Sequence, residues 1–181
     1  MSVRVIAGSL RGRVLQTPSG LSTRPTLARA REAMFSILAS VEGASVLDLY
    51  AGSGALGIES LSRGAERAVF VENDRRALGC LRDNLEKLGL GAKTRVFAVD
   101  AEEAPRALGK DVALDLVFCD PPWPDMERAL AAVAAVVPRL RDGARVVLEH
   151  PAKRTVDIAG LVPVDTRRWG DTGATFFELA R

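Results

Sequence analysis

The chain has 181 residues, of which 48% are hydrophobic, and a formal net charge of +2, enough for one well-cored domain and too few residues for two full ones. No apolar run approaches the roughly 20 residues that span a bilayer, and the polar start Met1-Ser2-Val3-Arg4 lacks the apolar centre of a signal peptide, so a cytoplasmic protein is expected. Two cysteines, Cys80 and Cys119, without metal spacing, and a single histidine, His150, leave little for a zinc site, a disulfide scaffold or a Ser-His-Asp triad, so no metal is expected.

Val3 to Ala7 and Arg13 to Gln16 are short β-prone runs around Gly8-Ser9-Leu10-Arg11-Gly12, which predicts a hairpin with a basic loop. Thr17 to Pro25 is rich in Pro, Ser, Gly and Thr and reads as a linker, after which Thr26 caps a helix from about Leu27 to Ser40. The expected organisation is therefore a single domain over 1–181, with a hairpin and linker extension at 1–25 and a helix plus α/β core at 26–181. Charge is uneven: Arg4, Arg11, Arg13, Arg24, Arg29 and Arg31 all precede Glu32, the first acidic residue. Arginine forks match phosphates, so these six, with Thr26, are the candidate RNA contacts; a solvated basic face is the alternative.

From Ala44 strands alternate with helices. The strands are Ser45 to Leu49, Glu66 to Val71, Thr94 to Val99, Leu114 to Cys119 and Gly143 to Glu149; the helices are Ala55 to Arg63, Arg75 to Leu88, Ala101 to Leu108 and Asp125 to Val137. Leu161 to Arg168 and Ala174 to Leu179 read as a closing antiparallel pair. This is βαβ repetition, hence a mostly parallel α/β sheet.

The first strand ends in Asp48-Leu49-Tyr50-Ala51-Gly52-Ser53-Gly54-Ala55-Leu56-Gly57, a strand end, a glycine turn and a helix start. Glycine lets the backbone approach a ligand, and the helix opening offers free N–H groups. Glu72 ends the next strand twenty residues after Gly52, where a bound nucleoside carries its ribose hydroxyls. The same spacing satisfies the G-x-G-x-x-G dinucleotide pattern, so a dehydrogenase is a genuine competitor. Against it, Asp48 puts negative charge beside the loop, which repels pyrophosphate and favours the sulfonium and amine of S-adenosylmethionine. Asp100-Ala101, after the third strand, is placed either to accept from an adenine amine or to cap the following helix.

Asp120-Pro121-Pro122-Trp123 follows the buried run Leu114 to Cys119, at the strand end where open α/β sheets bind ligands. Two prolines remove two donors and fix the turn, leaving a carboxylate and carbonyls as acceptors beside an indole on which a planar heterocycle can stack. The corner suits an exocyclic amine on a nucleobase; a rigid strand exit is the alternative.

Together these residues resemble the bacterial 16S rRNA (guanine-966-N2) methyltransferases of the RsmD type. The likeness runs over nearly the whole chain, through Arg4-Val5-Ile6-Ala7-Gly8, Arg24-Pro25-Thr26, Arg31-Glu32-Ala33-Met34-Phe35-Ser36-Ile37-Leu38, the glycine loop to Glu59, Ser62-Arg63-Gly64-Ala65 and Asp120-Pro121-Pro122. Trp123 stands where Tyr or Phe is usual, and Tyr50 where Phe is common. The resemblance implies a class I, Rossmann-like methyltransferase: a mostly parallel seven-stranded sheet with an antiparallel strand and an amino-terminal β-hairpin. It implies S-adenosyl-L-methionine, leaving as S-adenosyl-L-homocysteine, held by Asp48, Tyr50, Ala51, Gly52, Ser53, Gly54, Glu72, Asn73, Asp100, Ala101 and Asp120. It implies Asp120, Pro121, Pro122 and Trp123 as the catalytic corner, Asp120 and the Pro121 carbonyl accepting the amine N–H groups and Trp123 stacking on the base. The implied partner is 16S rRNA in an assembled or partly assembled small ribosomal subunit, met by a monomer. Competing readings are methylation of adenine N6, cytosine N4 or a glutamine amide, or a non-catalytic assembly factor. Glu149-His150 and Trp169-Gly170-Asp171-Thr172 read as structural.

Overall fold

The computed structural model describes residues 2–18 and 25–180. In chain order the elements are β1 (Ser2–Arg4), β2 (Val14–Gln16), α1 (Pro25–Leu38), β3 (Ser45–Leu49), α2 (Ala55–Ser62), β4 (Arg67–Val71), α3 (Arg75–Lys87), β5 (Thr94–Phe97), α4 (Ala104–Leu108), β6 (Leu114–Cys119), α5 (Met126–Val136), β7 (Leu140–Pro151), β8 (Leu161–Trp169) and β9 (Thr172–Leu179). The seven-stranded sheet has the order β5-β4-β3-β6-β7-β9-β8. Neighbouring strands from β5 to β7 pair in parallel, and β9 runs antiparallel to both β7 and β8. This is the Rossmann-like class I methyltransferase architecture, in which β3 and β6 are buried on both faces by the helix layers on either side.

Alternation along the strands divides the core. Val46, Phe70, Phe118, Val147 and Phe176 pack with α1, α2, α3 and the hairpin residues Val5 and Leu15. Leu49, Val71, Val117, Cys119 and Leu148 pack with α4 and α5. The chain moves outward from β3 through β4 and β5, then returns to β6 on β3's other side. That reversal parts the loops after β3 and β6 and opens a crevice at the strands' carboxyl ends, where such sheets bind ligands.

The hairpin strands, three residues each, are too short to stand alone and dock through buried polar groups. Ile6 and Ala7 donate their N–H groups to the Glu59 carboxylate at 2.7 and 3.0 Å, Arg63 Nε donates to it at 2.7 Å, and Arg31 Nε lies 4.0 Å away. Asn84 of α3 pairs with both the N–H and the C=O of Gln16, at 2.8 and 2.9 Å, and also donates to the Ser53 carbonyl at 3.0 Å. One amide thus ties the hairpin to the glycine loop.

Element bounds differ from expectation in instructive places. Helix α1 begins at Pro25, so Thr26 lies inside the helix rather than capping it; proline suits a first helical position because its missing N–H would be unpaired there. Residues Trp123–Asp125 form a tight 3₁₀ turn before α5, since Pro124 restricts the entry. Strand β7 extends to Leu140–Pro151 because β6 and β9 supply ladder partners on both sides. Most of the predicted linker, with Arg24, lies outside the described residues. Among the described residues no helix is long and apolar enough to cross a membrane.

Candidate active site

A cavity of about 700 Å³ occupies the crevice, lined from the β3 side by Tyr50 and Gly52, from β4 by Glu72, Asn73 and Asp74, from the β5 exit by Asp100 and Ala101, and from β6 by Asp120, Pro121 and Pro122. Pro18, Arg76, Ala77, Asp125 and Arg128 complete the wall. A second cleft, about 420 Å³ and bordered by Ala44 and Asp115, lies at the opposite, amino-terminal end of the strands, away from the glycine loop.

The glycine loop is shaped from behind. Gly54, at φ 83°, caps α2, and a Cβ there would stand 2.5 Å from Leu81 Cδ1. A Cβ on Gly57 would stand 2.3 Å from the Phe70 ring, so the third glycine of the pattern allows α2 to sit on β4. Tyr50 has φ 58°, a left-handed conformation that an aromatic residue holds only at a cost of about 1–3 kcal/mol and that turns the chain into the loop. Burial raises its phenol to about 12. Ala51 is buried, and Ala51, Ser53 and Gly54 support the loop without lining the cavity.

Asp48 does not meet the cavity as expected. It is 1% exposed and accepts the Gly57 N–H at 2.9 Å, anchoring the start of α2 behind the loop. Burial pushes its carboxyl well above the ordinary aspartate range. The negative field instead comes from Glu72, Asp74, Asp100, Asp120 and Asp125 on the wall, against Arg76 and Arg128. Such a wall disfavours pyrophosphate and favours a cation.

Glu72 is held by the Gly52 N–H at 2.7 Å and by the Asn73 and Asp74 N–H groups at 3.0 and 2.8 Å, which orients its carboxylate at the cavity edge with lone pairs to spare for hydroxyls. Asp100 makes no side-chain cap; its carboxylate accepts from Asn73 Nδ2 at 2.5 Å and Arg128 at 3.2 Å, and the Asn73 bond lowers its pKa. Arg128 also reaches Glu102 at 2.5 Å. Nothing local in the sequence announces Arg128, which reaches this wall from α5 only because β6 returns beside β3.

Asp120 stands one residue beyond β6, its N–H directed at the Leu49 carbonyl. Its carboxylate has no hydrogen-bond partner among the described residues, solvent reaches it through the cavity, and the surrounding protein raises its pKa to about 6. Pro121 and Pro122 continue the wall, whereas Trp123, the next residue, does not line the cavity and has half of its surface exposed. Arg4, Arg11, Arg13 and Arg29 are exposed on the hairpin and α1. Arg31 differs: its side chain is 9% exposed and donates to the Arg4 carbonyl, so it is part of the hairpin's seat rather than a free phosphate ligand.

Residues 3–178 match the family described as Conserved hypothetical protein 95. YlbH of Bacillus subtilis (strain 168) is 35% identical over 97% of this chain and 98% of its own length. This chain belongs to the RsmD-type methyltransferase family. The ribosomal RNA small subunit methyltransferase D of Escherichia coli (strain K12) is 42% identical to this RsmD-type chain over 122 residues, 67% of this chain and 60% of that protein. Among solved structures, the Escherichia coli protein yhhF superposes with a TM-score of 0.83 at 32% identity, covering 99% of this chain and 98% of the other.

Proposed function

We propose that the protein transfers a methyl group from S-adenosylmethionine to the exocyclic N2 amine of a guanine in small-subunit ribosomal RNA, at the position implied by its RsmD-type resemblance. The observation that carries this reading is the unpartnered Asp120 carboxylate in a rigid Pro-Pro corner, opening on the cavity that Glu72 and Asp100 also line. The donor set fits the cofactor: Glu72 accepts ribose hydroxyls, Asp100 accepts an adenine amine, and the acidic wall suits a cation. When bound, S-adenosylmethionine supplies an electrophilic methyl on a sulfonium.

The chain's own residues have to make a poor nucleophile react. Guanine N2 shares its lone pair with the ring. Asp120 and the Pro121 carbonyl accept its two N–H bonds, which reduces that sharing, orients the lone pair and stabilises the positive charge that grows on nitrogen. Trp123 holds the extruded base by stacking, offsetting part of the few kcal/mol that extrusion costs. The substrate class is supported by the Escherichia coli relative, whose name states small-subunit ribosomal RNA as its target. The proposed setting is a cytoplasmic monomer acting on an assembled or partly assembled subunit.

The test is tritiated methyl transfer to unmodified small-subunit particles, followed by nuclease digestion and mass mapping. N2-methylguanosine at a single site is expected. Methyl on adenine N6, cytosine N4 or a protein would move the assignment, and binding to particles without transfer would favour an assembly factor.

A further inference from the structure

We propose that Glu149, on β7, is a second substrate-facing carboxylate that accepts the N1–H of the target guanine beside Asp120, and so selects guanine over bases whose amine flanks an acceptor nitrogen. The inference rests on the guanine-N2 reading and deepens it.

Register brings the two acids together. Cys119 of β6 is paired with Leu148 of β7, so Asp120 and Glu149 are the next residues on adjacent parallel strands, about 4.8 Å apart in backbone. Side chains alternate, and Val147, two residues before Glu149, lies on the same face as Phe118, two before Asp120. Glu149 is not itself on the cavity wall, but its carboxylate, like that of Asp120, makes no hydrogen bond or ion pair with any described residue. Burial raises its carboxyl well above the ordinary glutamate range, with the Asp120 charge the next cause and Arg31 opposing. Arg31, over nine-tenths buried, holds a guanidinium on this side of the sheet with Nε left unpartnered, 4.0 Å from Glu59. A fold that sets two neighbouring carboxylates side by side without donors, Asp120 open to solvent and Glu149 half-buried near a buried cation, leaves two acceptors for a ligand that brings two donors.

Among the candidate amines, only guanine does so. Its N2–H and N1–H groups are adjacent donors on one edge. Adenine N6 is flanked by N1, cytosine N4 by N3, and a glutamine amide by its own carbonyl, all acceptors that would face the ionised Glu149 carboxylate with lone pair against lone pair. A site built to accept a hydrogen bond rejects an analogue that lacks the donor, because the acceptor is then desolvated by the base and left unpaired.

The experiment compares methyl transfer to particles whose 16S rRNA carries either guanine or 2,6-diaminopurine at the target position. The analogue keeps the 2-amine but has an acceptor at N1. The wild-type protein should prefer guanine by at least about tenfold in kcat/KM. Glu149→Gln, whose amide can donate to N1, should compress that preference at least about tenfold, while S-adenosylmethionine affinity and the melting temperature stay close to wild type; Glu149→Asp should keep the preference. An unchanged ratio in Glu149→Gln, with guanine N2 still methylated, overturns the role of Glu149 and leaves the reaction assignment standing. Absence of N2-methylguanosine with the wild-type protein overturns both. If Glu149→Gln fails to fold, the wild-type ratio decides alone: equal use of the two bases overturns the proposal.

Discussion

At the scale of residues, the Asp120 carboxyl carries the most testable chemistry, because nothing among the described residues donates to it while burial raises its pKa to about 6. Asp120→Ala should lower methyl transfer by at least about a hundredfold, the order found on removing one positioned transition-state partner, with the melting temperature retained. Trp123 is half exposed and belongs to neither core cluster, so Trp123→Ala should chiefly raise KM for particles, by the roughly 1–3 kcal/mol that base stacking supplies, and Trp123→Phe should restore most of it. The tritium assay with circular dichroism melts checks both; early melting of Asp120→Ala would make the carboxylate structural. A pH dependence follows from the same group. The ionised carboxyl accepts more strongly from the amine and alone carries the charge that stabilises the growing cation, so transfer should fall as pH drops through about 6. For stability the sign is opposite. An unfolded aspartate titrates near 3.9, so between about 4 and 6 the native state binds more protons than the unfolded one, and stability declines as pH rises through that window. Asp120→Asn should therefore melt slightly higher than wild type at pH 7 and no higher at pH 4; solvent access keeps the gain small. A difference that stays flat with pH would mean the carboxyl is not desolvated.

Among the elements, the hairpin depends most on a single side chain. Glu59 is fully buried; its carboxylate accepts from two backbone N–H groups and pairs with the Arg63 guanidinium, with Arg31 at 4.0 Å. Removing one partner of such a buried set leaves the others uncompensated, so Glu59→Ala should cost about 3–5 kcal/mol and free the hairpin to proteolysis. The pairs on the surface are different: Arg141 with Asp115, or Arg145 with Glu178, are partly solvated on both sides and contribute under about 1 kcal/mol each. Thermal melts of Glu59→Ala beside Arg145→Ala check the contrast, and equal small losses would show that the apolar packing of Val5 and Leu15 holds the hairpin alone.

For the whole molecule, net charge understates the field. An acidic cavity and an exposed basic hairpin sit on one chain, which suits a cationic cofactor and a polyanionic substrate at separate places. Replacing Arg11 and Arg13 with Gln should weaken particle binding and reduce the slope of log affinity against log salt by roughly one for each phosphate no longer neutralised, leaving S-adenosylmethionine affinity unchanged. Filter binding across a salt series, with calorimetry for the cofactor, measures both; an unchanged slope would return these arginines to an ordinary solvated face.

The strands, the helices, the glycine turn and the Pro-Pro corner were legible from local pattern, because apolar runs, glycine turns and prolines act over a few residues. Asp120, Glu72 and Asp100 stood at strand ends in the sequence and line one cavity in the structure. What local pattern misjudged were side chains whose direction depends on distant partners. Asp48 turned from the cavity to the Gly57 N–H, Arg31 went under the hairpin, and Arg128 arrived from α5. Charge in a sequence has no direction. Whether a carboxylate or a guanidinium meets a ligand, a backbone donor or the core is decided only when β6 closes against β3 and the hairpin seats on α2, because burial then makes every unpaired polar group costly and selects the orientation that pairs it.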